Sequence, residues 1–364
     1  MTAVATASRP KLDVAPTVDP RDRGGERQPM LIARSLKKYF PIRGGLLTGK
    51  GKEVQVKAVD DVSFAVLKGE TLGVVGESGC GKSTLARLLM HLIPKDSGEL
   101  IFDGEPVGQA QGLSLRDLRR NMQMVFQDSY SSLNPRLPVQ ESIAYGARAH
   151  GTSRGDAKQL ARNLLDKVGL EPDQFGARYP HQLSGGQKQR VNIARALALS
   201  PRMLILDEAV SALDKSVEAH VLNLLGYLKR HFNLTYLFIS HDLSVVRYIS
   251  DRVLVMYLGQ VVEIGPVEEI YANPLHPYAK ALLDSRLAMD PRERIEESPI
   301  AGDPPNPINP PSGCRFRTRC PFAESICEAK APALGSAALD EHLVACHMAV
   351  PKSGHTKAGK LALH

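Results

Sequence analysis

No run in the 364-residue chain approaches the roughly 18 to 20 consecutive apolar residues that a membrane-spanning helix needs. A role at a membrane would therefore pass through partners that span it. Long basic blocks are also lacking. Lys and Arg exceed Asp and Glu by 46 to 39, a formal net charge of +7, but the basic residues are scattered through SLRDLRRN, LKRH and CRFRTRC. Aromatic residues, 5% of the chain, do not interleave with them. This pattern reads as solvated surface rather than a nucleic-acid footprint, and it suits a protein working beside an anionic leaflet. The first twenty-eight residues have no apolar h-region, so a secretory signal is not expected. Cysteine is scarce, with five residues, four of them near the C-terminus. Without export a disulfide framework is not expected, and those four pose a question of metal or cluster ligation.

The length suffices for a full core with one or two appendages, and the 43% apolar content is that of an ordinary globular protein. Residues 1–28 read as a disordered tail. From MLIARSL onward, short apolar strands recur (VQVKAV, VSFAVL, TLGVV, LIFDG, MQMVF), interrupted by a Gly/Lys-rich loop, RGGLLTGKGK. The helix after TLGVV carries Leu85, Leu88, Leu89 and Leu92 at helical spacing. A helical subdomain is expected over about 130–200. Strands resume at RMLILD and LTYLFIS, around a helix with Val217, Val221, Leu224 and Leu225 on one face. After Gly265 the core pattern fades. Residues 266–350 form a Pro-rich, cysteine-bearing extension, and 351–364 read as a flexible tail. No internal repeat is visible.

GESGCGKST, Gly76 to Thr84, fits the phosphate-loop pattern in the context that gives it meaning, between an apolar strand and a helix. Gly76, Gly79 and Gly81 let backbone amides crowd around phosphate oxygens, with Glu77, Ser78, Cys80 and Thr84 completing the loop. Lys82 suits the β- and γ-phosphates, and Ser83 a Mg²⁺ ion. RMLILDEA then ends a buried strand in two acids. Asp207 suits the Mg²⁺ shell, and Glu208 suits a base that polarises water beside the γ-phosphate. Gln127 and His241 end strands expected at the same sheet edge and are further catalytic candidates, with Gln127 also a candidate Mg²⁺ ligand. Cys80 stands at a helix N-terminus, where a thiol's pKa falls, although a small residue at a free motif position is the plainer reading.

A second glycine-bearing helix start, LSGGQKQR, lies more than a hundred residues later. Taken alone it is a helix with Ser184 as its N-cap. Taken with the other motifs, the chain closely resembles the ATP-binding cassette family. It has the Walker A loop Gly76–Thr84, the Q-loop Gln127, the signature Leu183–Gln187, the Walker B pair Asp207 and Glu208, the D-loop Ser211–Asp214 and the switch His241. The resemblance implies an α/β fold with a RecA-like core, an antiparallel β subdomain and a helical subdomain, spanning residues 29–265. It also implies that two cassettes pack head to tail, so that Ser184, Gly185, Gly186 and Gln187, with Asp214 nearby, serve ATP bound on the other chain. Phe40 or Tyr39 is expected to stack on adenine.

Within that family FQDSYSSLNPR, DEAVSALD, the HPY segment His276–Tyr278 and the tail CRFRTRC…C…HLVACH resemble the ATPase of an oligopeptide/dipeptide importer, and the insertion after YFPI suggests the second of two paralogues. That implies ATP and Mg²⁺ as cofactors and a second ATPase, a paralogue or another copy, as partner. It also implies two integral permease subunits, an indirect extracytoplasmic solute-binding protein, and a peripheral place on the cytoplasmic face of the inner membrane. Nucleic acid is not an expected partner. The alternative, a soluble cassette ATPase acting on nucleic acid or ribosomes, usually carries two cassettes in one chain or a long coiled coil, and neither is seen here. Ser129, Lys188 and Lys215 depart from the family pattern, at no catalytic position. Cys314, Cys320, Cys327 and Cys346 lack a C-x-x-C pair and leave three readings open: a [4Fe–4S] cluster, which the resemblance implies, zinc, or free thiols.

Overall fold

The computed structural model describes residues 25, 28–42, 54–128, 131–285, 302–303, 305–336 and 342–359. The expected N-terminal tail up to residue 24, the Gly/Lys-rich loop and Ser129 lie outside them. In chain order the strands are β1 (Leu31–Ile42), β2 (Val54–Val66), β3 (Thr71–Val75), β4 (Ser97–Phe102), β5 (Glu105–Pro106), β6 (Met122–Val125), β7 (Met203–Asp207), β8 (Thr235–Ile239), β9 (Arg252–Tyr257), β10 (Gln260–Pro266), β11 (Gly335–Ser336) and β12 (Leu343–Val344). The main sheet runs β11-β12-β10-β9-β3-β8-β7-β6, and β2-β1-β4-β5 form a second, antiparallel sheet.

From β9 to β6 the main sheet is parallel. Both faces of that stretch are covered, so β3, β7 and β8 are buried at every position. The two-residue period divides the apolar mass. Leu204, Leu206, Tyr236 and Phe238 join the core shared with the helices, whereas Met203, Ile205, Leu237 and Ile239 join the core shared with the antiparallel sheet.

Helix α1 (Lys82–Leu89) follows the phosphate loop, and α2 (Leu115–Asn121) precedes β6. The helical block contains α3 (Val139–Ala149), α4 (Arg154–Lys167), α5 (Pro172–Phe175) and α6 (Gly185–Leu197). Helix α7 (Lys215–Phe232) then connects β7 to β8 and buries Val221 and Leu225. Helices α8 (Leu243–Ile249), α9 (Val267–Ala272), α10 (Pro277–Asp284) and α11 (Ser325–Ala329) complete the described chain.

Three local outcomes differ from expectation. VQVKAV and most of VSFAVL lie on one continuous strand, β2, paired along its length with β1; of the two acids between them, Asp60 is paired with Tyr39 and Arg315 and Asp61 takes a φ of 63°. Helix α1 stops at Leu89, since Met90 caps it and His91 turns to a φ of 49°, which leaves Leu92 45% exposed rather than on the apolar face. Residues 351–359, expected to be loose, are tied down. His355 is buried with Nε2 at 2.9 Å from the Phe322 carbonyl, and the Thr356 N–H donates to Glu324 at 3.0 Å. The extension also adds to the main sheet, because β12 pairs with β10.

Candidate functional site

The phosphate loop leaves the C-terminal end of β3 and turns into α1. Two of its glycines have no substitute. Gly76 has a φ of 150° and Gly81 one of 108°, and an added Cβ would lie 2.2 Å from the Met256 and Ala58 carbonyl oxygens respectively. Gly81 is the N-cap of α1, so no side chain caps that helix, and its first turn carries no acid. Its leading amides and dipole are left for an anion. Lys82 is buried and folds back on the loop, with Nζ donating to the Gly76 carbonyl at 2.7 Å and the Glu77 carbonyl at 3.0 Å.

The other motif residues arrive from neighbouring strand ends of the same sheet edge. A cleft of about 640 Å³ is lined by Phe40, Lys57, Ser78, Gly79, Gly81, Lys82, Ser83, Thr84, Gln127, Glu208, His241, Leu258, Gly259 and Pro307, among others. That volume falls within the range of small-molecule clefts. Gln127 Nε2 donates to Glu208 Oε2 at 2.6 Å, and His241 Nδ1 lies 3.4 Å from Glu208 Oε1. Glu208 is held in the left-handed backbone region at a φ of 48°, a strained conformation of the kind that collects at functional sites. Beside it, Asp207 is buried and accepts a hydrogen bond from Ser83 Oγ at 3.2 Å. Burial pushes its carboxyl pKa up, and the neighbouring Glu208 charge adds to this, a crowding of negative charge that a bound divalent cation would relieve.

Several of the expected site residues stand elsewhere. Ser184, Gly185, Gly186 and Gln187 open α6 and do not line this cleft. Ser184 and Gln187 form a reciprocal capping box, with Ser184 Oγ accepting from the Gln187 N–H at 3.3 Å and Gln187 Oε1 accepting from the Ser184 N–H at 3.0 Å. Asp214 is exposed as the N-cap of α7. Of the two aromatics, Phe40 lines the cleft, while the Tyr39 hydroxyl is turned away onto Asp60. Cys80 is buried beneath the loop, and burial pushes its thiol pKa up, the reverse of the helix-terminus expectation. Lys57, Leu258, Gly259 and Pro307 complete the walls with no motif to announce them.

The four tail cysteines converge from three segments on one cavity, together with His276, His347 and His355. Burial pushes Cys314 up to about 11 and Cys346 up to about 12, so they are neutral thiols as the chain stands. Among the described residues no three His, Cys, Asp or Glu side chains gather to hold a metal ion, so a tetrahedral zinc site is not formed. The cavity holds about 20 Å³, room for a water. Four cysteines line the cavity, but a four-iron cluster would not find its space there.

A phosphate loop, an acid pair and a helical subdomain on one parallel sheet define an ATP-binding cassette. Residues 59–211 match the ABC transporter family. Two solved cassettes share the fold. CbiO1 of Clostridium perfringens, part of an ABC transporter complex, is 27% identical with a TM-score of 0.57, over 67% of this chain and 91% of that one. The cassette MJ0796, dimeric and bound to ADP and phosphate, is 28% identical with a TM-score of 0.56, over 65% and 99%. The chain is an ATPase of this class, and ATP with Mg²⁺ is what such a site takes.

Residues 262–327 further match the C-terminal region of oligopeptide/dipeptide transporters. The oligopeptide transport ATP-binding protein AppF of Bacillus subtilis is 49% identical over 88% of this chain and 98% of its own length. The di/tripeptide transport ATP-binding protein DppF of Pseudomonas aeruginosa is 45% identical over 88% and 98%. The chain belongs to the ATP-binding subunits of the oligopeptide/dipeptide ABC transporter family. Among its described residues no helix is long and apolar enough to cross a membrane.

Proposed function

We propose that the chain hydrolyses ATP to drive peptide import, as the second-paralogue type of ATPase in its transporter, on the cytoplasmic face of a membrane spanned by two permease subunits. The observation that carries the chemistry is the convergence of Lys82, Ser83, Gln127, Glu208 and His241 on one cleft, while the start of the signature helix does not line it. Lys82 and the loop amides hold the phosphates, and Phe40 stacks on the base. Ser83, Gln127 and Asp207 would hold Mg²⁺, which would supply charge neutralisation on the phosphates. Glu208 takes a proton from the attacking water, with Gln127 and His241 orienting its carboxylate. Ser184 to Gln187 complete the site of a second cassette, a paralogue or another copy, and ATP-driven closure of the pair moves the permeases, which a solute-binding protein loads from outside. Residues 29–265 form the ATPase and 266–350 its extension.

The test is capture of partners. Tagged full-length Glu208→Gln protein, held with ATP and Mg²⁺ in mildly solubilised native membranes, is expected to retain a second cassette and two multi-span proteins, identified by mass spectrometry. Recovery of only soluble or ribosomal partners overturns the transport reading.

For the tail, the [4Fe–4S] reading is supported by four cysteines, from three segments, lining one cavity. The side chains would have to swing apart to admit it. Anaerobically purified protein is then expected to be brown, with stoichiometric iron and acid-labile sulfide. Colourless, iron-free protein overturns this.

A further inference from the structure

The phosphate loop is held from behind by the cysteine-bearing extension. Glu77, its second residue, is fixed at every polar group it has. Its N–H donates to the Tyr278 hydroxyl at 2.8 Å, its carbonyl accepts from Lys82, and its carboxylate is gripped by both prongs of Arg319, at 2.8 and 3.0 Å. The Arg319 side chain is 6% exposed and stacks over the Tyr257 ring, 6.0 Å from its centroid. A buried two-pronged guanidinium fixes both the distance and the plane of a carboxylate, which a lysine would not do.

A second arginine, four residues earlier, reaches the opposite wall. Arg315 is buried and donates to the Leu258 carbonyl and to Asp60. Asp60 in turn receives the Tyr39 hydroxyl, next to Phe40, and its N–H donates to the Gly259 carbonyl at 2.8 Å. Leu258, Gly259 and Phe40 all line the nucleotide cleft. Between the two arginines Phe316 is wedged against Tyr257 and Tyr278, with ring centroids 5.3 and 5.4 Å apart. The two arginines and the phenylalanine between them are thus packed as one segment of the tail.

We propose that Arg319 and Arg315 are positioning residues for ATP, so that the extension is a brace that presets the phosphate loop and the base-side wall of the cleft. This rests on the nucleotide-site reading above. Loop amides serve an anion only when they point at it before it arrives, and a brace absent from the reacting centre sets how well the nucleotide binds rather than how fast the bound nucleotide reacts.

The test uses the full-length chain and a ribose-labelled fluorescent ATP with Mg²⁺. Arg319→Gln is expected to weaken binding by about tenfold, the scale of one charged hydrogen-bonded pair, with turnover at saturating ATP changed less than about twofold. Glu77→Gln should weaken binding to a similar degree, and the double variant should be no worse than either single one. Arg317→Gln is the control, because Arg317 reaches Ser312 and Glu328 in the same tail and not the loop. It should leave affinity unchanged. Tm is recorded for each variant, and if Arg319→Gln does not fold, Glu77→Gln alone decides. Wild-type affinity in a folded Arg319→Gln or Glu77→Gln variant, or an equal loss in Arg317→Gln, overturns the brace. Wild-type protein that binds no nucleotide would instead sink the site itself.

Discussion

Glu208→Gln is expected to slow ATP turnover by a factor of about 10² to 10⁴ and to leave binding of ATP and Mg²⁺ intact. The amide has the shape of the carboxylate but cannot take a proton from water. It also keeps an acceptor oxygen for Gln127 Nε2, now 2.6 Å from Oε2. The backbone at Glu208 is pinned by its N–H on the Ile239 carbonyl at 2.9 Å, so the substitution changes the proton acceptor and not its placement. The strained φ of 48° is carried by the surrounding strands and persists in the variant. Single-turnover phosphate release separates this from a binding defect, because fluorescent ATP should still titrate with wild-type affinity. His241→Ala should cost less, since its Nδ1 at 3.4 Å orients the carboxylate rather than replacing it. Turnover retained in Glu208→Gln would mean that another group is the base.

The parts of the site that the sequence announces are those whose chemistry is local. A phosphate loop is a run of nine residues whose glycines answer to backbone geometry, and the acid pair follows directly from a buried strand. Sheet order then brings Gln127, Glu208 and His241 together with no further specification, because each ends a strand of one parallel sheet. The illegible parts depend on contacts between distant segments. Phe40 and Tyr39 alternate along β1, and only Asp60, on another strand, decides that the tyrosine turns away. Cys80 shows the same limit. Its helix-terminus position lowers a thiol's pKa, but burial, set by the whole fold, wins. Arg319 and Glu77 stand 242 residues apart, and no spacing rule reaches across that distance. The tail beyond residue 350 reads as loose because it is polar, yet one buried histidine and a threonine–glutamate contact hold it.

Ser184→Asp is the substitution that separates the two meanings of the signature loop. As a helix start, the loop needs only an N-cap acceptor at this position, and Asp caps as well as Ser. The capping box survives, because the Gln187 N–H keeps an acceptor and the Gln187 side chain still reaches the residue 184 N–H. On that local account α6 is untouched, and so is stability, with an effect within about 0.5 kcal/mol. If instead the loop faces the γ-phosphate of a neighbouring cassette, Asp places a second negative charge against it and removes a hydroxyl donor. The expected result is a fall in turnover of at least about 10²-fold, the scale of losing one preorganised donor in a charged transition state. Binding of fluorescent ATP to the chain's own loop should be unchanged, because Ser184 does not line that cleft. Closure of the cassette pair with ATP, followed by size-exclusion chromatography with the Glu208→Gln background, should be lost in the same variant. Gly186 has a separate, local reason: an added Cβ there would lie 2.4 Å from Val217 Cγ1, where α6 meets α7. A Ser184→Asp protein with wild-type turnover in the assembled transporter would reduce the loop to a helix cap and remove the head-to-tail reading, whereas slow turnover with intact binding places the loop's chemistry on the other chain.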